Sequence, residues 1–207
     1  MTRLNNNFFN RNTLAVAKDL LGKYLVRRIG GKVIRARITE TEAYCGVKDK
    51  ANHASKGLTS RTKVMFGPPG HAYIYLIYGM YHCFNTVTRE EGYPEAVLIR
   101  AAEITNHKSH KTQVNITKTQ STEHKTQIKH RAQTTKNTNT LCFKLDGPGK
   151  LCRALSIDKH LNGINLCESK ELWLEDRGEK PLEIRKGKRI GVDYAGKWKD
   201  KLWRFSI

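Results

Sequence analysis

The sequence has little acidic charge, no long hydrophobic run and no cysteine pair of the zinc-binding type. Its 207 residues include 38 lysines and arginines but only 19 aspartates and glutamates, a formal net charge of +19. The longest apolar run, from Ala72 to Tyr81, has ten residues and contains a glycine, whereas a membrane-spanning helix needs about 20. The lack of a long hydrophobic run excludes an integral membrane protein. A strongly basic balance favours nucleic acid or an anionic surface as the partner.

Cysteine and histidine patterns exclude further classes. The five cysteines are scattered and form no C-x-x-C pair, which argues against a disulfide framework and a structural zinc site. No H-E-x-x-H, H-x-E or ligand-spaced His/Cys set occurs, so metal catalysis has little support. The N-terminal segment lacks the apolar core of a secretory signal. We therefore expect a cytoplasmic, nucleoid-associated protein. The abundance of Asn and Lys favours a bacterium with an A·T-rich genome, and a monomer is the default because nothing in the sequence indicates an oligomer.

The hydrophobic pattern predicts a single α+β domain, residues 1–207, around a mostly antiparallel sheet. We expect a loose arm over residues 1–11 and a helix capped by Asn12 that runs to about Leu21. A Gly30-Gly31 turn should join the first two strands of a hairpin. The strands are predicted at 24–29, 33–44, 72–78, 81–88, 96–103, 172–175 and 189–194, with a second helix at about 150–157.

A segment of different composition interrupts this pattern at about 104–140. It has no aromatic residue, glycine or proline, and it carries seven Lys or Arg against one acid. Such a composition cannot bury enough apolar surface to offset ordering entropy, so we interpret it as a mobile basic insert. We hypothesise that the insert adds non-specific DNA affinity. If its deletion leaves binding and the salt dependence of binding unchanged, that hypothesis is wrong.

The strand at 33–44 contains two carboxylates, Glu40 and Glu42. Simple alternation puts both on the same face as Ile34, Ala36 and Ile38, so they are expected to continue an apolar, core-facing stripe. A carboxylate against apolar surface is costly unless it has a partner, and active sites use this arrangement. The alternative is that the strand frays and both glutamates pair with Arg or Lys at the surface.

Aromatic residues mark a second stretch, where four tyrosines occur between Tyr73 and Tyr81. Tyr73 and Tyr75 should share one face, with Tyr78 beside the glycine of a turn. In a basic protein such rings can stack on nucleobases or wedge between them, although ordinary cross-strand packing would use the same residues. His53 stands in the polar segment after the Glu42 strand, where a solvated role is the plainer interpretation.

Taken together and in order, these motifs resemble the 3-methyladenine (alkyladenine) DNA glycosylase family. The first group is Glu40-Thr41-Glu42-Ala43-Tyr44, Asp49-x-Ala51-x-His53 and Gly57-x-Thr59-x-Arg61-x-x-x-Met65-Phe66. The second is Pro69-Gly70-x-Ala72-Tyr73-Ile74-Tyr75-Leu76-Ile77-Tyr78-Gly79-Met80, Glu95-Ala96-Val97-Leu98-Ile99-Arg100-Ala101, Gly147-Pro148-Gly149-Lys150-Leu151-Cys152, Arg189-Ile190-Gly191 and Trp203-Arg204-Phe205. The resemblance runs from about Leu14 to the C-terminus and skips the insert.

The resemblance implies a base-excision repair enzyme that flips a damaged purine out of double-stranded DNA and hydrolyses its N-glycosidic bond. It implies the family's curved antiparallel sheet, no metal or other cofactor, and a monofunctional reaction that leaves an abasic site. The implied residues are Glu42 as the group that activates water, with Arg100 beside it; Tyr44, His53 and Tyr75 around the flipped base; Asn85 as a filter against the guanine amino group; and Tyr78 as the wedge.

General chemistry agrees with these implied roles. Glycosidic cleavage develops positive charge on the sugar, which a nearby carboxylate can stabilise while it orients water. Base flipping costs a few kcal/mol, and stacking returns roughly 1–3 kcal/mol per base, so aromatic walls are useful. Two other functions explain the charge: a nucleic-acid-binding protein without turnover, and a structural ribosomal or nucleoid protein. Neither of these functions explains why the strand at 33–44 carries the Glu42 carboxylate.

Overall fold

A computed structural model of the chain describes residues 1–106, 133–134 and 141–207. In this part, eleven strands with antiparallel pairings form one sheet, accompanied by short helices. The strands are β1 Thr2–Arg3, β2 Tyr24–Ile29, β3 Lys32–Tyr44, β4 Ala72–Ile77, β5 Tyr81–Thr88, β6 Glu95–Asn106, β7 Gln133–Thr134, β8 Leu141–Asp146, β9 Leu172–Asp176, β10 Arg185–Gly187 and β11 Arg204–Ser206. The helices are α1 Asn6–Phe9, α2 Thr13–Asp19 and α3 Pro148–Ala154, with 3₁₀ segments at His53–Lys56, Lys63–Phe66, Lys159–Leu161 and Asp193–Asp200. The α+β class predicted from the sequence is thereby confirmed.

The two longest strands, β3 and β6, lie side by side at the centre of the sheet. The main path of the sheet runs β1-β9-β2-β3-β6-β5-β4. The first half of β3 pairs with β2 and its end pairs with β11, while β6 pairs first with β5 and then with β8. Both central strands therefore change their outer partner midway along their length, β3 from β2 to β11 and β6 from β5 to β8.

Local sequence signals account for several of these boundaries. The Asn12 side chain accepts hydrogen bonds from the amides of Leu14 and Ala15, so it caps α2 as predicted. Gly30 and Gly31 both have positive φ, 53° and 79°, which a tight hairpin between β2 and β3 requires. The predicted bounds of β2 and β5 are confirmed, and α3 begins two residues before its predicted start.

The main core covers one face of the sheet and is closed by α1, α2 and α3. Its buried members include Phe9, Leu20, Ile38, Phe84 and Leu151. Each fully buried leucine, isoleucine or phenylalanine contributes about 1.5–3 kcal/mol of transfer free energy. Among the described residues, no helix is both long and apolar enough to cross a membrane.

The predicted faces of β3 are wrong beyond Ile38. The β3–β6 register passes from Ile38↔Ala102 to Glu40↔Ala101 and then to Thr41↔Ile99, so Thr39 and Arg100 are both skipped. The extra residue Thr39 shifts the alternation of β3 by one residue, as a β-bulge does, whereas the extra residue Arg100 does the same for β6. Thr41 consequently donates to the Ala17 carbonyl on the core side, at 2.7 Å. Glu40 and Glu42 point to the opposite face and do not continue the apolar stripe.

Two other predictions are also wrong. Residues 1–11 are not a loose arm, because β1 pairs with β9 and Phe9 of α1 is fully buried. Residues 189–194 are not a strand; β10 ends at Gly187, and a 3₁₀ segment follows from Asp193. Of the alternating apolar residues in this range, only Val192 is buried, whereas Ile190 and Tyr194 are exposed. The alternation therefore does not mark a strand.

The predicted insert begins later than expected. β6 continues to Asn106, three residues beyond its predicted end, and pairs there with the unpredicted strand β8. Most of the predicted 104–140 insert lies outside the described residues, so its proposed mobility stays a prediction.

Candidate active site

A row of residues crosses five neighbouring strands on the face of the sheet opposite the main core. The strand registers set Arg204 of β11 opposite Glu42 of β3, Glu42 opposite Leu98 of β6, Leu98 opposite Asn85 of β5, and Asn85 opposite Tyr73 of β4. Directly paired residues share a face. The sheet thus aligns the predicted carboxylate with Asn85, a predicted base-pocket residue, and with Tyr73, although these residues are far from Glu42 in the sequence.

Glu42 is fully buried, with none of its surface exposed. Its Oε2 accepts a hydrogen bond from the Tyr44 hydroxyl at 2.8 Å, and its Oε1 accepts one from the Ile190 amide at 2.9 Å. The Arg100 guanidinium lies 3.5 Å from Oε1. Both oxygens are therefore held, so the plane of the carboxylate has a defined orientation.

Arg100 lies between the two glutamates of β3. Its Nε is 3.4 Å from Glu40 Oε1, and Arg204 approaches the same oxygen at 2.9 Å. The alternative reading, in which both glutamates pair with arginine, is thus correct in its pairing. It is wrong in placing them at the surface, because Glu42 is buried.

Opposing effects act on the protonation of Glu42. Burial raises the pKa of the carboxyl, and the neighbouring charge of Glu40 raises it further. Arg100, the Ile190 amide and the Tyr44 hydroxyl lower the pKa. The net direction is upward, which is how a buried carboxylate becomes a better base. Burial also holds the pKa of Tyr44 well above its usual value, so this phenol remains a donor.

His53 and Tyr75 form a continuous aromatic surface beside the carboxylate. Their rings meet edge to face with centroids 4.5 Å apart, and His53 Nδ1 is 2.9 Å from the Tyr73 hydroxyl. Burial, together with the charges of Arg61 and Lys56, lowers the pKa of His53 to about 4. His53 is therefore a neutral, partly buried ring at physiological pH, and the solvated reading is wrong.

The aromatic surface formed by His53 and Tyr75 lies close to Glu42, and Arg61 packs against it. The charge of Glu42 contributes to the raised pKa of Tyr75, although burial is the largest cause. The Arg61 guanidinium lies over the Tyr75 ring at 5.0 Å. The expectation that Tyr73 and Tyr75 share a face is confirmed by their ring contact, with centroids 5.4 Å apart.

Asn85 is buried in the same row, two strands from Glu42. Its Nδ2 donates to the Tyr73 carbonyl at 2.9 Å, which fixes the side-chain amide. Asn85 therefore presents a rigid amide at this face of the sheet.

Tyr78 lies at the tip of the β4–β5 hairpin and is 80% exposed. Its φ of 52° and that of Gly79, 68°, are both in the left-handed region, and the Met80 amide donates to the Ile77 carbonyl at 3.2 Å. This is a type I′ turn, in which Asn-Gly is the favoured pair. A tyrosine in this conformation is strained, and such strain marks candidate functional positions.

The motif comparison included Asp49 and Arg189 but assigned neither a role. In the structure they form a buried bidentate ion pair, and the peptide that follows Arg189 supplies the Ile190 amide to Glu42. The two residues are 140 positions apart, so strand periodicity could not have joined them. The sequence signal for both residues was their place in the ordered motifs, Asp49-x-Ala51-x-His53 and Arg189-Ile190-Gly191.

Exposed cations flank the site on the segment 46–66. They are Lys48, Lys50, Lys56, Arg61 and Lys63. The one acid of this segment, Asp49, is buried in its ion pair. In the part of the chain that the structure describes, no group of three or more His, Cys, Asp or Glu has a metal-binding arrangement.

Comparison with known proteins gives one consistent result. Residues 7–207 match the family model described as Methylpurine-DNA glycosylase (MPG). A Desulfitobacterium hafniense protein provisionally named 3-methyladenine DNA glycosylase is 48% identical over 208 residues, covering 100% of this chain and 96% of its own length. Proteins of the same provisional name from Methanocella arvoryzae and Legionella pneumophila are 47% and 43% identical, covering 99% and 100% of this chain and 92% and 95% of their own lengths.

Proposed function

Because the chain belongs to the methylpurine-DNA glycosylase family, we propose that it removes damaged purines from duplex DNA with water activated by Glu42. The substrates would be alkylated or deaminated purines of the 3-methyladenine, hypoxanthine or ethenoadenine type. The observation that carries the proposal is the fully buried Glu42 carboxylate, held at both oxygens and aligned across the sheet with Asn85 and Tyr73. A protein that only binds DNA has no use for such a carboxylate.

In the proposed reaction, Glu42 orients a water molecule and accepts its proton as the oxygen attacks the anomeric carbon. The bond to the purine nitrogen breaks, the purine leaves with its electron pair, and an abasic site remains. The sugar carries positive charge in the transition state, which the carboxylate stabilises electrostatically. Arg100 favours the ionised form of Glu42 and helps to fix the carboxylate, since its guanidinium lies 3.5 Å from Oε1.

The flipped base would be enclosed by aromatic rings. His53 and Tyr75 provide one surface, and Tyr44 lies on the strand that carries Glu42. Stacking on such rings is worth roughly 1–3 kcal/mol per base and does not depend on base identity. Asn85 would then exclude a purine that carries an amino group where the fixed amide lies. Because water attacks the sugar in this scheme, and not a lysine amine that would form a Schiff base, the reaction is that of a monofunctional glycosylase.

Tyr78 would occupy the gap that the flipped nucleotide leaves in the duplex. Its ring projects from a hairpin tip whose neighbours Leu76 and Met80 are also exposed. The lysines and Arg61 of the segment 46–66 would contact phosphates, so binding should weaken steeply with salt. On this proposal the single domain acts on DNA without a partner subunit.

The direct test is single-turnover release of hypoxanthine and ethenoadenine from a labelled duplex, with abasic sites revealed by alkali. The wild-type protein should release one or both bases, and the Glu42→Gln variant should release neither while it still binds the duplex. If neither protein releases these bases or methylated purines, yet salt-sensitive binding is intact, the chain is a non-catalytic DNA-binding protein.

A further inference from the structure

The structure assigns a positioning role to the buried Asp49–Arg189 ion pair: we propose that it holds the Ile190 amide and the Tyr44 ring against Glu42 and so fixes the carboxylate toward substrate. The inference rests on the proposed function, because it concerns the carboxylate that would activate water. It extends that function to two residues that do not touch the reacting atoms.

The ion pair is completely enclosed and rigid. Arg189 Nη1 lies 2.5 Å from Asp49 Oδ2, Nη2 lies 2.9 Å from Oδ1, and both side chains have no exposed surface. Arg189 also donates to the carbonyls of Ala43 and Trp198, at 2.9 and 3.2 Å. Bidentate pairing of this kind fixes an arginine in direction as well as in position.

The Arg189 guanidinium positions both groups that donate hydrogen bonds to Glu42, the Ile190 amide and the Tyr44 hydroxyl. Ile190 follows Arg189 in the chain, so the position of Arg189 decides where the Ile190 amide points. Tyr44 stacks on the guanidinium at 4.8 Å, and Trp203 lies at 5.0 Å from it. Movement of Arg189 would therefore loosen the hydrogen bonds to both carboxylate oxygens.

The pair is poorly explained as a device for stability alone. Buried ion pairs often contribute little net free energy, because desolvation offsets the attraction. Arg189 Nε is in addition buried without a hydrogen-bond partner among the described residues. An ion pair retained under these conditions, one peptide bond from the donor to Glu42, is better explained by the orientation that it imposes.

Substitution of Asp49 distinguishes two effects on Glu42: the orientation of its hydrogen-bond donors and the nearby charge of Asp49. The titratable and charged groups around Glu42 are Glu40 and Tyr44 on β3, Tyr75 on β4, Cys83 on β5, Arg100 on β6, Arg189 with its partner Asp49, and Arg204 on β11. The Asp49→Asn variant removes a negative charge, which by electrostatics alone would lower the pKa of Glu42. Loss of the Ile190 and Tyr44 hydrogen bonds would raise that pKa instead. The two explanations therefore predict opposite signs.

The experiment compares wild type with Asp49→Asn and Arg189→Lys, using single-turnover base release across pH and the ¹³C carboxyl shift of Glu42. The resonance is assigned by its absence in Glu42→Gln. Arg27→Met is the matched control, because Arg27 is also buried, also pairs with a carboxylate (that of Glu171) and also has a buried Nε without a partner among the described residues. It lies on β2, away from the Glu42 row.

We expect Asp49→Asn to reduce the rate by ~10–100-fold, as small misplacements in active sites do. We also expect the titration of Glu42 to move upward by about one pH unit, the shift for loss of one hydrogen bond to a charged acceptor. Arg189→Lys should lie between this variant and wild type, and Arg27→Met should lose stability without either change.

An unchanged rate in Asp49→Asn, or a Glu42 titration at the same or a lower pH, would overturn the inference. The same holds if Arg27→Met reproduces both changes. Absence of base release by the wild type would instead overturn the proposed function, and the carboxyl shifts would still report whether the ion pair orients Glu42.

Discussion

Replacing Tyr78 with Asn should make the protein more stable and, at the same time, slow its release of damaged bases from duplex DNA. The side chain lies at the tip of the β4–β5 hairpin with positive φ at Tyr78 and Gly79. Asn-Gly is the preferred pair for this type I′ turn, and Asn tolerates the left-handed region far better than Tyr does. The stability and the activity should therefore change in opposite directions.

The magnitudes follow from exposure and backbone conformation. A non-glycine residue in a disfavoured backbone region costs of order 1–3 kcal/mol, and Tyr78 recovers little by packing because it is 80% exposed. Relief of part of this strain should stabilise the fold by about 1 kcal/mol, or ~2–4 °C in Tm for a domain of this size. Loss of ~1–3 kcal/mol of stacking corresponds to a rate loss between about 5- and 150-fold.

Two assays measure the two effects. Thermal unfolding gives the Tm, and single-turnover release of hypoxanthine gives the rate on a fully paired duplex. The rate defect should shrink when the lesion lies opposite an abasic gap, since less free energy is then needed for flipping. Tyr93→Asn is the control, because Tyr93 is also an exposed turn tyrosine but precedes β6, at the end of β5 opposite the β4–β5 hairpin.

A lower Tm for Tyr78→Asn would refute the argument from strain. A wild-type rate on the paired duplex would refute the wedge, whatever the Tm. If Tyr93→Asn shows the same rate loss, the effect belongs to exposed tyrosines in general.

Three further predictions concern the buried site. Burial raises the pKa of Glu42 in the folded protein above 4.5. The protonated carboxyl therefore stabilises the fold below pH 4.5, and this contribution is lost as pH rises through the folded pKa. Glu42→Gln should melt at a higher temperature than wild type, and the difference in Tm should be larger at pH 8 than at pH 4. The pKa of His53 is lowered to about 4 from 6.5, so neutral His53 stabilises the fold above pH 6.5, and this contribution is lost as pH falls toward 4. The lost free energy of unfolding would be ~3 kcal/mol for a fully buried ring and about 1–2 kcal/mol with partial solvent access. Urea unfolding at pH 7 and 4.5 should show that loss in wild type but not in His53→Gln. Asn85→Ala should increase release of guanine-type lesions relative to hypoxanthine in competition assays, and an unchanged ratio would remove the filter role.

Much of the architecture was predictable because the signals are local. A capping side chain, paired glycines and alternating apolar residues act within a few positions, and they predicted the start of α2, the Gly30-Gly31 hairpin and the bounds of β2 and β5. The shared face of Tyr73 and Tyr75 follows from the same two-residue period. The ordered motifs also indicated the family, which the comparisons confirm.

What the sequence by itself determined were these local elements, the residue types at the site and the excess of positive charge. Only the tertiary structure decided which way Glu42 faces, because the bulge at Thr39 depends on how β3 pairs with β6. It also decided that the Ile190 amide and the Asp49–Arg189 pair meet at the carboxylate, across 140 and more residues of chain. The physical reason is that strand register and burial are set by partners distant in sequence, whereas periodicity reports only on neighbours.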